Sequence, residues 1–186
     1  MVERTMPKKL KHQPAEKQIS QIIEATRQDP RMFGDLYLLY VQPVFRYLYS
    51  RMGNVPDAED ITAQTFLAAL ERFPKYRHRG YFASWLFSIA RNKAMDYFRK
   101  HHKEASFEGA ERLPDDVNLL QQVIKTERIA ALSKLISTLP EDEQELIRLR
   151  YVAELSFAEI GHLLGQKEDT VKKSLYRLLA RLKVQL

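Results

Sequence analysis

The chain has 186 residues, 45% of them apolar, a net charge of +6 at pH 7 and no cysteine. That length and apolar content suit one or two small domains with a core rather than a disordered chain. The absence of cysteine excludes disulfides and thiolate metal sites and fits a reducing cytoplasm. No apolar run approaches the roughly 18 residues of a membrane span, so no membrane insertion is expected. The basic stretch Met1 to Gln13 has no apolar segment behind it and does not read as a secretory signal.

Almost every segment reads as helix. Phe33, Tyr37, Tyr40, Val44 and Leu48 recur at spacings of three and four and form one apolar stripe. Pro43 predicts a kink in that helix or the start of a second one. A turn follows at Gly53-Asn54. Pro56 suits the first position of a new helix, and Asp57, Glu59 and Asp60 suit its positive N-terminal end. That helix is expected to carry Ile61, Phe66, Leu70 and Phe73 inward and to stop before Pro74. Residues Lys75 to Tyr81 lack periodicity and read as a loop. A helix starting at Ser84 or a neighbour follows, with Trp85, Ile89, Lys93 and Tyr97 in register, to about His102. Residues Lys103 to Asp116 contain Gly109 and Pro114 and read as a flexible linker.

A second helical group is expected from about Val117. Pro140 starts a helix with Glu141 and Glu143 in its first turn. Ser156-Phe157-Ala158-Glu159 is a capping-box pattern, in which the hydroxyl and the carboxylate satisfy backbone donors reciprocally. That helix is expected to end at Gly165 in a left-handed cap. A last helix from about Lys167 buries Val171, Leu175, Leu178 and Leu182. No strand pattern and no internal repeat is present.

Charge alternates in blocks. Arg72 to Lys103 holds nine Lys/Arg and one acid, and Lys167 to Lys183 holds six bases and two acids. Between them Glu104 to Glu127 holds six acids and two bases. Two basic faces flanking an acidic joint point to a polyanion such as nucleic acid. A short capped helix, a tight turn and a second amphipathic helix is helix-turn-helix spacing, whose second helix enters the major groove. Its outward residues are Asp169, Thr170, Lys172, Lys173, Tyr176 and Arg177. Lysine and arginine there can pair with guanine acceptors or hold phosphates. The alternative is a helical hairpin with a solvated basic face.

The first half has two different surfaces. Tyr76, Arg77, His78, Arg79, Tyr81, Phe82 and Trp85, followed by Arg91, Lys93, Arg99 and Lys100, interleave aromatics with cations. Unstacked bases bind aromatic faces while cations hold phosphates, so this pattern suits single strands. Trp85 shares a stripe with Ile89 and reads as core, whereas for Tyr81 and Phe82 at the loop end both core and stacking surface stay open. The acidic start Asp57, Glu59, Asp60 has a plain alternative too, complementarity to the helix dipole.

The stretch Asp57-Ala-Glu-Asp-Ile-Thr-Ala-Gln-Thr-Phe66, with Trp85-Leu-Phe-Ser-Ile-Ala-Arg-Asn92 and Asp96-Tyr-Phe-Arg99, resembles domain 2 of extracytoplasmic-function (ECF) sigma factors. Leu139-Pro140, Leu149-Arg150-Tyr151, Ser156-Phe157-Ala158-Glu159-Ile160 and Thr170-Val171-Lys172 resemble their domain 4. The resemblance covers about Ile19 to Leu186. It implies an all-α chain of two helical domains: a basic extension over 1–17, domain 2 over 18–103, an acidic linker over 104–116 and domain 4 over 117–186. It further implies that Asp57, Glu59, Asp60 and Gln64 dock on the clamp helices of the largest subunit of core RNA polymerase. Arg77, Tyr81, Phe82, Asn92, Lys93, Asp96, Arg99 and Lys100 would bind and open the minus-ten element of promoter DNA. Thr170, Lys172, Lys173, Ser174 and Arg177 would read the minus-thirty-five element. An anti-sigma factor is an implied partner. Two positions depart from the pattern: Ala63 stands where family members commonly carry Gln, and Lys167 where a Ser or Thr caps the recognition helix.

Enzymatic readings find no support. Glycines 34, 53, 80, 109, 161 and 165 form neither a phosphate-binding loop nor a dinucleotide fingerprint. His12, His78, His101, His102 and His162 form no helical metal pair, so no metal, cofactor or catalytic residue is expected. A regulator of the response-regulator type is the second reading, and its receiver domain would require alternating strands and helices. A structural RNA-binding protein, the third, leaves the capped groove helix unexplained.

Overall fold

The computed structural model describes residues 16–108 and 132–185. All regular structure among them is helical. The latter part of the expected linker and the expected helical start near Val117 lie outside these residues.

Helix α1 (Glu16–Gln28) is an addition to the sequence reading. Ile19, Ile23 and Thr26, spaced by four and three, are its buried face. A single 3₁₀ turn, Pro30–Met32, follows, capped by the Asp29 carboxylate, which accepts from the Arg31 amide at 3.0 Å. Helix α2 (Phe33–Met52) passes through Pro43 as one element, so the proline does not begin a second helix. Proline removes one amide donor, but Leu36, Tyr40, Val44, Tyr47 and Leu48 are buried on both sides of it. Tertiary packing therefore overrides the local break. α2 ends at Gly53, whose φ of 75° lies in the left-handed region.

Helix α3 (Val55–Arg72) opens on Asn54, whose Oδ1 accepts from the Asp57 amide at 2.9 Å. Ala58, Ile61, Thr62, Thr65, Phe66, Ala68 and Ala69 are buried. Leu70 is 43% exposed, against its expected inward position, because the buried stripe runs through Ala69. Tyr37 is also 43% exposed and only edges its ring onto Phe66. Helix α4 starts at Phe82, before Ser84, and continues past His102 to Glu108. Its backbone thus remains helical over 104–108, where a linker was expected.

The second group contains helical residues 132–137 (α5), α6 (Glu141–Ile147), a π-helical turn (Arg148–Val152), α7 (Phe157–Leu164) and α8 (Glu168–Gln185). The capping box at Ser156 forms in both directions: Ser156 Oγ accepts from the Glu159 amide, and Glu159 Oε2 accepts from the Ser156 amide. Gly165, at φ 66°, closes α7, and the Gln166 amide donates to Gly161 O at 2.8 Å. That six-to-one bond is a Schellman closure.

The two groups share a core. Leu149, Ala153, Leu155, Ile160 and Val171 belong to the same buried cluster as the apolar faces of α1 to α4. Leu175, Leu178 and Leu182 form a smaller cluster packed by Leu135, Leu139 and Ile147. Charged groups join the halves at the same place. The Tyr47 hydroxyl on α2 donates to Glu145 Oε1 on α6 at 2.6 Å, and Arg51 Nη1 donates to Glu145 Oε2 at 2.7 Å.

Two glycines give a direct check on the packing. A Cβ on Gly161 would lie 2.7 Å from Gln166 O, whereas one on Gly34 meets nothing within 4 Å. Gly34→Ala should stabilise by about 0.5–1 kcal/mol through helix propensity. Gly161→Ala should destabilise by about 1–3 kcal/mol through overpacking of the turn. Urea unfolding of both variants measures this, and equal stabilisation would refute the tight α7–α8 approach.

Candidate nucleic-acid and protein interfaces

The start of α3 separates its acidic residues into two jobs. Asp57 is half-buried; its Oδ2 accepts from Asn54 Nδ2 at 2.6 Å and from the Tyr97 hydroxyl of α4. It therefore ties α3 to α4. Glu59 and Asp60 are exposed, and Gln64, half-buried, donates to Asp60 Oδ2 at 2.7 Å. The outward acidic surface is Glu59 and Asp60, with Gln64 fixing the latter.

The loop after α3 is held from α1. His78 Nε2 lies 3.0 Å from both Ser20 Oγ and Glu16 Oε1, and its Nδ1 lies 3.1 Å from the Tyr76 hydroxyl. Arg27 Nη2 donates to Tyr76 O at 3.3 Å. The Tyr76 ring packs on Trp85 at 4.4 Å. Gly80, at φ 82°, supplies the turn into α4. Burial first, then the nearby Glu16 carboxylate, push the Tyr76 hydroxyl well above the ordinary tyrosine range, so it stays protonated.

These contacts sort the aromatic residues. Phe82 is 1% exposed and packs against Tyr40, Tyr76 and Trp85, so its expected place at an open stacking surface is corrected: it is core. The first turn of an amphipathic helix turns it inward. Tyr81 is half-buried, and its ring stacks on His162 of α7 at 4.6 Å and 14°. Arg77 and Arg79 are exposed.

Along α4, Asn92, Asp96, Arg99 and Lys100 are exposed and Lys93 is half-buried. Spacings of three and four place them on adjoining rows of one face. Asp96 Oδ1 accepts from Arg99 Nη2 at 2.7 Å.

On α8 the inward set is as the spacing predicts, with Val171, Leu175, Leu178 and Leu182 buried. Thr170, Lys173 and Arg177 are exposed, while Lys172 and Ser174 are half-buried. Lys167 precedes the helix, and its carbonyl accepts from the Thr170 and Val171 amides at 3.0 and 3.2 Å. Glu168 and Asp169 occupy the first turn, where their charge favours the helix dipole. No cluster of three or more potential metal ligands occurs among the described residues. Nor is any helix among them long and apolar enough to cross a membrane.

Sequence reasoning missed the charged seam between the groups. Tyr47 lies at a helical step from Val44, and Glu145 lies in an acidic first turn that reads as solvated. Only an apolar neighbourhood, Leu146 beside it and Leu149 one turn on, hints that Glu145 is inside. Helix α1 itself left a clearer trace, in the apolar stripe of Ile19, Ile22, Ile23 and Thr26.

Comparisons with known proteins agree with this architecture. The family model for Sigma-70 region 2 matches residues 36–104, and that for Sigma-70, region 4 matches residues 129–182. ECF RNA polymerase sigma factor BldN of Streptomyces coelicolor is 35% identical over 81% of this chain, and the match spans 58% of BldN. ECF RNA polymerase sigma factor SigM of Bacillus subtilis is 32% identical over 80% of this chain and 91% of SigM. SigW of the same organism is 30% identical over 89% of this chain and 94% of SigW. CnrH, solved in complex with the cytosolic domain of CnrY, shares the fold at TM-score 0.65 and 20% identity, over 92% of this chain and 97% of that one. RpoE of Bartonella quintana, solved with the anti-sigma factor NepR, does so at 0.64 and 22%, over 81% and 94%. Both regions in order, on helices that end where their caps require, make this chain a member of the ECF RNA polymerase sigma factors, the sigma-70 family proteins of transcription initiation.

Proposed function

We propose that this chain divides promoter recognition between two surfaces. The loop at Arg77–Tyr81 and the α4 face with Asn92, Lys93, Asp96, Arg99 and Lys100 take the opened minus-ten strand. The outward face of α8, with Thr170, Lys172, Lys173, Ser174 and Arg177, reads the minus-thirty-five duplex. One observation carries this reading: the chain presents two basic surfaces of different chemistry, one interleaved with an aromatic ring and one on a capped second helix. Aromatic faces serve unstacked bases, and a helix of that kind serves the major groove. Glu59, Asp60 and Gln64 form the proposed clamp contact, with Asp57 anchoring their helix from within. CnrH and RpoE were solved bound to CnrY and NepR; an anti-sigma factor is accordingly a proposed partner here.

In vitro transcription with purified core polymerase tests the whole reading. The chain is expected to confer specific initiation on a subset of promoters that core alone ignores. Core-only background on all templates would reject it.

Asp60→Arg isolates the clamp surface. The carboxylate is exposed and, among the described residues, accepts from Gln64, so circular dichroism should not change. Charge reversal at an interface rim lowers association and alters its salt dependence. Core affinity should fall about tenfold at moderate salt, measured by fluorescence anisotropy. Wild-type affinity would remove this surface from the proposal.

Lys173 and Arg177 separate base reading from charge on α8. Thr170 and Lys173 lie nearer the helix N-terminus, which sits deepest in the groove. Lys173→Ala should relax preference at one or two positions of the upstream element, by about 1–3 kcal/mol. Arg177→Ala should lower affinity for all sequences alike and reduce the salt slope by about one. Titrations over single-base variants at two salt concentrations distinguish them. Uniform loss in both variants would place base reading elsewhere.

A further inference from the structure

Helix α1 carries a second stripe beside its apolar one. Glu16, Ser20, Ile23 and Arg27 follow one another at steps of four, three and four, so they lie along one face. Ile23 is buried in the core, and the three polar members reach the loop between α3 and α4. Glu16 Oε1 and Ser20 Oγ each lie 3.0 Å from His78 Nε2. Arg27 Nη2 donates to Tyr76 O at 3.3 Å. A Cβ on Gly80 would meet the same Glu16 oxygen at 3.7 Å, so this carboxylate also lies along the turn into α4.

The partners assign the hydrogens. Ser20 Oγ gives its one proton to Glu16 O at 2.9 Å, so toward His78 it only accepts. A carboxylate also only accepts. Nε2 therefore carries a hydrogen, in the neutral ring and in the charged one alike. Nδ1 lies 3.1 Å from the Tyr76 hydroxyl, which burial keeps protonated and able to donate to a neutral ring. Each ring nitrogen thus has a partner, one on α1 and one in the loop.

This matters because the loop has little else to fix it. Among the described residues, no backbone hydrogen bond is made by Arg77 to Gly80. Tyr76 has extended backbone angles, φ −69° and ψ 127°, and an extended chain sends successive side chains to opposite sides. Tyr76 and His78 share the inner side, with ring centroids 6.0 Å apart. Arg77 and Arg79 are left exposed on the other. Anchoring the inner pair therefore sets where the two guanidinium groups stand. A loop ordered before it binds loses less conformational freedom on binding, and cations placed along a strand hold its phosphates.

We propose that His78 is the positioning residue of the minus-ten surface. Held on Glu16 and Ser20, it orders the loop so that Arg77 and Arg79 stand ready for the phosphates of the opened strand. Its part in opening rests on the minus-ten reading proposed above; the tie itself rests on the contacts between α1 and the loop.

The test uses the full chain and three variants. His78→Asn keeps an amide near Tyr76 but cannot reach α1. His78→Gln places a donor where Nε2 stood. Glu16→Ala with Ser20→Ala removes both acceptors and leaves the loop sequence intact. Trp85, the single tryptophan, packs on Tyr76 at 4.4 Å and reports the loop. Acrylamide should quench Trp85 more strongly in His78→Asn and in the α1 variant than in wild type, and His78→Gln should restore wild-type quenching. With core polymerase, a fluorescent base analogue in the minus-ten element reads strand opening. His78→Asn and the α1 variant should each slow opening about tenfold, as loss of one charge-assisted hydrogen bond implies. Core affinity should not change, and His78→Gln should recover most of the opening rate. Combining His78→Asn with the α1 variant should slow opening no further, because both remove the same contact. Wild-type quenching in His78→Asn and the α1 variant, with circular dichroism unchanged, overturns the tie. Opening at the wild-type rate in both, opening in His78→Gln as slow as in His78→Asn, or losses that add in the combined variant overturn the positioning role. Should His78→Asn fail to fold, the α1 variant decides. If the wild-type chain itself opens no promoter, the minus-ten reading has failed, and Trp85 quenching still decides the tie.

Discussion

A carboxylate removed from water requires partners that replace its hydration, and removing one partner of a buried pair costs about 3–5 kcal/mol. Glu145 meets that requirement largely because α2 and α4 bring Tyr47, Arg51 and Arg91 to the place where α6 arrives, with Arg148 of its own group at 3.8 Å. The same requirement sets the approach of the C-terminal group. With Glu145 engaged, Leu149, Leu155 and Ile160 complete a core that begins on α1 to α4. Nondirectional apolar burial alone would tolerate small slips of one group over the other. The ion pair adds a directional contact to that burial.

The minus-ten side illustrates a division of labour between adjacent aromatics. Phe82 is scaffold: it fills the junction of α2, the loop and α4, and closes the core under Tyr76 and Trp85. Tyr81, one residue earlier, lies outside that core. Between them the chain passes from loop to helix, so a single step rotates the side chain from surface to interior. The loop that presents Tyr81 is restrained through His78, which joins α1 to Tyr76. Helix α1 thus contributes to the site without carrying any of its cations.

The recognition side is rigid for a different reason. The capping box settles the start of α7, and the Schellman closure at Gly165 settles its end. Gly161 lets the turn backbone approach within a distance that no side chain permits. α8 leaves that turn with its apolar stripe already aimed at the core, so Thr170, Lys173 and Arg177 are left exposed on its outer side. The cap missing at Lys167 is offset by the acidic first turn rather than by a hydroxyl.

Much of this was legible in the chain itself. Helical class, the capped α7–turn–α8 unit, the inward set of α8 and the acidic opening of α3 are local properties, determined by periodicity and by capping chemistry within a few residues. The order of the two sigma motifs is likewise linear information. Tertiary structure decided the rest. It carried α2 through Pro43, because core burial on both sides outweighs one lost amide bond. It turned Leu70 outward and Phe82 inward, because the edge of a buried stripe depends on the neighbour that covers it. It gave Asp57 to Tyr97 and Glu145 to Tyr47 and Arg51, pairs separated by 40 and 98 positions for the tyrosines. No local pattern distinguishes an acid that faces water from one that waits for a partner so far along the chain; only the approach of the helices does.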